Sequence, residues 1–121
     1  MRIRIDGTRA SAEDLKGISE AWSLMTSLQR EARTPPTITV AGAVEDVMHS
    51  WVYLESSMDD QEDDFDAYVS GRTTLGIEDL SNVSRGETVT IEGPLVDLYS
   101  YEMESGRMRF SITIAPAELT T

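Results

Sequence analysis

The 121-residue chain has no cysteine, and it has a single histidine, His49, and a single lysine, Lys16. Without cysteine there can be no disulfide, no thiolate metal site and no cysteine nucleophile. One histidine cannot build a histidine-rich metal set either. No apolar run approaches the roughly 18 residues that a membrane-spanning helix needs. The opening MRIRIDG alternates charge with isoleucine and lacks the apolar stretch of a secretion signal, so a soluble, cytoplasmic protein is expected. A phosphate-binding GxxxxGK[ST] loop, a dinucleotide-binding GxGxxG loop and a GxSxG nucleophile elbow are all missing.

Positive charge is scarce as well. Ten basic side chains face 22 acidic ones, for a net charge of −12, and the imbalance is uneven. Residues 1–33 carry a net of +1, residues 34–71 carry nine acids and no base, and residues 72–121 carry a net of −4. Negative charge on this scale repels phosphate backbones and argues against direct DNA or RNA binding. It favours a basic partner, a cation, or solubility in a salty environment.

What the chain does have is hydrophobic patterning enough for one domain spanning residues 1–121. Ile3 and Ile5 alternate with Arg2, Arg4 and Asp6, which reads as a half-buried strand. Ser11 and Asp14 form a capping-box start. From there Leu15, Ile18, Trp22, Met25 and Leu28 recur at helical spacing, and Pro35–Pro36 ends the pattern. One long helix is expected. Residues 37–41 and 43–55 read as strands around a bulge or turn at Gly42, and residues 71–86 read as a loop anchored by Leu75, Ile77 and Leu80. Residues 87–93, 94–103 and 107–115 read as further strands, the last two joined by a hairpin at Glu104–Gly106. The expected fold class is α+β. It has the order β-α-β-β-acidic segment-β-β-β, an antiparallel sheet of about five or six strands packed against one long amphipathic helix.

The acidic segment, residues 55–71, holds six carboxylates between Asp59 and Asp66. It is not an EF-hand: counted from Asp59, position six is Asp64 where glycine is needed and position twelve is Ser70 where glutamate is needed. As a helix it would be capped by Ser57, would rest Phe65, Tyr68 and Val69 on the core, and would stop at Gly71. That helix would set Asp59 against Asp63, Asp60 against Asp64 and Glu62 against Asp66, each a like-charge pair. The alternative is a mobile acidic loop. The helix would be marginal alone and firmer against a basic surface, whereas the loop would be solvated charge with no such role.

His49 with Asp46 and Ser50 is not read as a catalytic group, because neighbours on a strand point to opposite faces. No catalytic residue, metal ligand or cofactor is assigned. The expected function is a non-enzymatic acidic binding protein of the inhibitor, nucleic-acid-mimic or immunity-protein type. Its basic partner would be a nucleic-acid-handling enzyme or a similar protein, met through Glu55, Asp59, Asp60, Glu62, Asp63, Asp64, Asp66 and Tyr68. In the mimic, carboxylates stand where phosphates would. Two other readings remain. One is an assembly subunit that makes homo-oligomers through the Tyr99, Tyr101 and Met103 face; the other is a carboxylate-dependent, metal-assisted enzyme.

Overall fold

The structure, a computed structural model, describes residues 1–57, 65–73, 80, 82–104 and 108–120, and of residues 55–57 and 65–68 the backbone alone. The chain opens with a tight hairpin, β1 (Arg2–Ile5) and β2 (Thr8–Arg9). Its turn is Asp6–Gly7, with φ of 48° and 81°. An Asp-Gly pair suits a two-residue turn that needs left-handed backbone at both positions. Asp6 also clamps the start of the third strand: its N–H donates to the Thr37 carbonyl at 2.8 Å, and its Oδ1 accepts from the Thr37 N–H at 2.9 Å.

Helix α1 (Ala12–Ser23) begins at the capping box read from sequence. Ser11 Oγ accepts from the Asp14 N–H, and Asp14 Oδ2 accepts from the Ser11 N–H at 2.9 Å. The Ser11 backbone bond, ahead of the Ser11 hydroxyl, holds the Asp14 carboxyl below its ordinary pKa. Leu15, Ser19 and Trp22 are buried, and Ser19 Oγ donates to Ser100 Oγ at 3.3 Å where α1 packs on the barrel.

The expected single long helix is two. α1 stops at Ser23, and a separate α2 (Ser27–Ala32) starts from its own capping box, Thr26 with Gln29. Thr26 Oγ1 takes the Gln29 N–H, and Gln29 Oε1 takes the Thr26 N–H, which caps a new helix instead of continuing the old one. The apolar stripe therefore breaks: Leu28 is 77% exposed, and no residue of α2 is buried.

The remaining strands are β3 (Thr37–Met48), β4 (Trp51–Ser57), β5 (Phe65–Thr73), β6 (Thr88–Glu102) and β7 (Met108–Thr120). β3 runs straight through Gly42. Its first half lies between β1 and β6, as in the Ile3–Val40–Ile91 row, and its second half pairs with β4 from Val44↔Leu54 onward. The irregularity falls between Val44 and Asp46 rather than at Gly42. Gly42 has a different task, since a Cβ there would lie 3.0 Å from the Cβ of buried Met1. β3 and β4 are separate strands, joined at His49–Ser50 with His49 in the left-handed region at φ 54°. His49 is thus a turn residue. β6 is likewise one strand across the expected break at Gly93–Pro94, where its register with β7 shifts.

β5 pairs antiparallel with β4 and parallel with β7; β7 pairs with β6, and β6 returns to β3. The five strands β3-β4-β5-β7-β6 thereby close on themselves. This overturns the α+β expectation. The chain is a closed five-stranded barrel with two short helices among the described residues, not a sheet laid on one long helix. Period-two patterning gives each strand its buried face but does not say whether the last strand meets the first. The helical reading of residues 57–71 falls too where the backbone is described, because Phe65–Thr73 is strand β5. The five strands close with one parallel pair, β5–β7, into a small barrel.

The barrel interior is filled by Ile38, Val40, Val52, Leu54, Val69, Ile91, Leu98, Phe110, Ile112 and Ile114, each at most 1% exposed. Leu80 is buried with them; Leu75 and Ile77 lie outside the described residues. No helix among the described residues is long and apolar enough to cross a membrane.

Candidate partner-binding face

Closure of the barrel determines which residues meet on its outside. Val52 and Leu54 of β4 and Val69 and Gly71 of β5 point inward, so Trp51, Tyr53, Ser70 and Arg72 belong to the outer surface. The register sets Trp51 beside Arg72 and Tyr53 beside Ser70. The Trp51 and Tyr53 rings stack at 6.5 Å between centroids with 24° between their planes. One strand further round, Ser70 meets Thr113 across the parallel pair, their hydroxyls 3.4 Å apart. β7 then sets Thr113, Ser111 and Arg109 against Asp97, Tyr99 and Tyr101 of β6.

Tyr99 and Tyr101 are 50% and 39% exposed, with ring centroids 5.8 Å apart. The outer face thus carries two aromatic pairs on either side of a strip of serine, threonine and arginine. Rings of this kind supply large contact area at low entropic cost, and their hydroxyls serve a wet interface.

The β3–β4 turn borders this face and is held firmly. The Ser50 carbonyl accepts from the Thr73 N–H at 2.9 Å and from Thr73 Oγ1 at 3.4 Å, and Thr73 is buried. Behind the turn, Asp46 pairs with Arg85 at 3.3 Å, an exposed ion pair of small energetic weight. With His49 in a turn and Asp46 paired to Arg85, the structure builds no relay from Asp46, His49 and Ser50.

The expected contact residues fall at one end of the β4–β5 hairpin. Its seven pairs run from Trp51↔Arg72 to Ser57↔Asp66, with Glu55 opposite Tyr68. Asp59, Asp60, Glu62, Asp63 and Asp64 lie outside the described residues, and of Glu55, Asp66 and Tyr68 the strand positions alone are described. Residues 58–64 join the two paired strand ends. Among the described residues, no three histidine, aspartate or glutamate side chains gather as a metal site would require.

Sequence reasoning set Tyr99 and Tyr101 on one face of their strand, and the structure puts that face outward. It did not join them to Trp51, Tyr53 and Arg72, because that neighbourhood exists only once β7 lies parallel to β5. No protein-family model matches the chain, and no curated protein matches it.

Proposed function

We propose that the chain is a non-enzymatic binding domain whose β4–β5 hairpin presents an acidic end, beside an aromatic outer face, to a basic partner protein. The observation that carries this reading is the β4–β5 register. The Ser57↔Asp66 pair brings together the two ends of an eight-residue stretch that holds five carboxylates and no base. Paired strand residues are roughly 5 Å apart, so the two ends of that acidic stretch are held close together. Charges gathered in this way repel one another and gain when a cationic surface approaches.

The fold adds an analogy. OB-fold barrels bind through the face of their second and third strands, which here would be β4 and β5, together with the loops that here join β3 to β4 and β6 to β7. Oligonucleotides are common occupants of that face in other such barrels, but a net charge of −12 opposes them. An acidic domain on this scaffold fits the partner of a nucleic-acid-handling enzyme better than a competitor for its substrate's place on the barrel. Fold alone does not assign function, and the electrostatics carry the weight.

The test is retention on immobilised protein. A basic protein is expected to bind at about 50 mM NaCl and to be released near about 0.5 M, where the screening length has fallen to a few ångströms. Retention that ignores salt, or that selects acidic or neutral proteins, contradicts the reading. A homo-oligomer that persists in high salt would assign the Tyr99–Tyr101 face to self-assembly instead.

A further inference from the structure

Between α1, β1 and residues 33–36 lies a cleft of about 390 Å³. Its walls are Ile5 of β1, Ile18 and Trp22 of α1, then Met25, Pro35 and Pro36. It continues into a second groove along α1 that shares Ile5, Ile18 and Ala21 as its floor. The volume falls within the range of small-molecule sites, and an apolar wall with a few polar groups is their usual lining.

The polar side chains on its wall are Asp6, Arg33 and Thr34, with the indole of Trp22 beside them. Trp22 is 7% exposed, and its indole Nε1 is buried with no hydrogen-bond partner among the described residues. Arg30 spreads its guanidinium over the Trp22 ring at 5.6 Å and donates to the Trp22 carbonyl at 2.8 Å, while its own Nε is also buried and has no partner among the described residues. Arg33, on the cleft wall, contacts the Met25 sulfur at 3.8 Å, and no carboxylate among the described residues pairs with it. The one acid on the same wall, Asp6, uses Oδ1 to accept from the Thr37 N–H.

Buried donors are ordinarily satisfied, and a cation beside an apolar cleft calls for an anion. The location fits, because residues 1–33 are the only third of the chain with net positive charge. We propose that this cleft binds a small organic carboxylate with an apolar body. The body lies on Ile5, Ile18 and Pro36 beside Trp22, and the carboxylate lies at Arg33. The site is separate from the β4–β5 hairpin, and its test does not depend on the partner.

Trp22 and Trp51 are the two tryptophans, so their indole N–H signals can be told apart in a Trp51→Phe variant. Octanoate, octan-1-ol and octylammonium are titrated against ¹⁵N-labelled protein at millimolar concentrations. Octanoate is expected to shift the Trp22 indole signal saturably and to bind roughly ten-fold tighter than octan-1-ol, with octylammonium weakest. Arg33 is exposed at the end of α2, so Arg33→Gln is expected to leave the melting temperature unchanged and to erase the preference for octanoate over octan-1-ol. Three results would overturn the assignment: no saturable shift, equal binding of octanoate and octan-1-ol, or a preference that survives in Arg33→Gln.

Discussion

Gly93→Ala is expected to destabilise the barrel by about 3 kcal/mol, seen as a fall in Tm of roughly 10–15 °C. A Cβ at Gly93 would sit within contact-forbidden range of the Pro116 carbonyl oxygen and 2.8 Å from Ile114 Cγ2. The first obstacle is backbone, so no side-chain rotation can relieve it. Gly93 lies where the β6–β7 register shifts, between Glu92↔Glu118 and Leu95↔Ile114, and on β6's other edge it faces Ile38 of β3. A displaced strand here would strain both seams at once. The glycine is needed for close approach, not for a left-handed backbone. Gly17→Ala is the matched control. Nothing lies within 4 Å of its added Cβ in the exposed face of α1, so the same change should raise stability by about 0.5–1 kcal/mol. Thermal unfolding of the two variants should therefore move in opposite directions. Equal, small effects would mean that the β6–β7 seam is not packed as described.

The second large effect concerns binding. Replacing Asp59, Asp60, Asp63 and Asp64 with asparagine is expected to weaken the complex with the basic partner about 100-fold at low salt. Each carboxylate facing a cation across a wet rim is worth roughly 0.5–1 kcal/mol, and four together give about 2–4 kcal/mol. Most of the loss should appear in the association rate, since charges at a rim steer encounter. The difference between variant and wild type should shrink as salt rises. Stability should hold or increase, because the substitutions remove like charges from one short stretch of the chain. Unchanged affinity in a folded variant would end the acidic-interface reading.

Several features of the fold were written plainly in the sequence. The alternation Met108–Phe110–Ile112–Ile114 marks an inward face, and Ser11 with Asp14 marks the start of α1. Others were present but outweighed. Thr26 with Gln29 is a second capping box, hidden by an apolar stripe that runs past it by chance of spacing. Asp6–Gly7 is a strong hairpin signal in a stretch dominated by its isoleucines. In β5, Phe65, Ala67, Val69 and Gly71 alternate with polar residues, but the run of carboxylates just before them drew the eye to helix caps and loop charge.

Two features had little local signal. His49 occupies a left-handed turn position usually given to glycine or asparagine, so residues 43–55 read as one strand across it. Barrel closure rests on β3–β6 and β5–β7, pairings between strands far apart in sequence. A half-buried strand has the same pattern in an open sheet and in a barrel. The candidate face inherits this difficulty. Tyr99 and Tyr101 could be placed on one side of a strand, but their proximity to Thr113, Ser70 and Tyr53 follows from register alone.

The most direct measurement is hydrogen exchange over residues 51–73 with and without the captured basic partner, at low and high salt. The acidic-hairpin reading expects slowed exchange at the Ser57–Asp66 end of β4–β5 when the partner is present, fading as salt rises. Protection that appears instead on β1 and α1, or that is indifferent to salt, would contradict it.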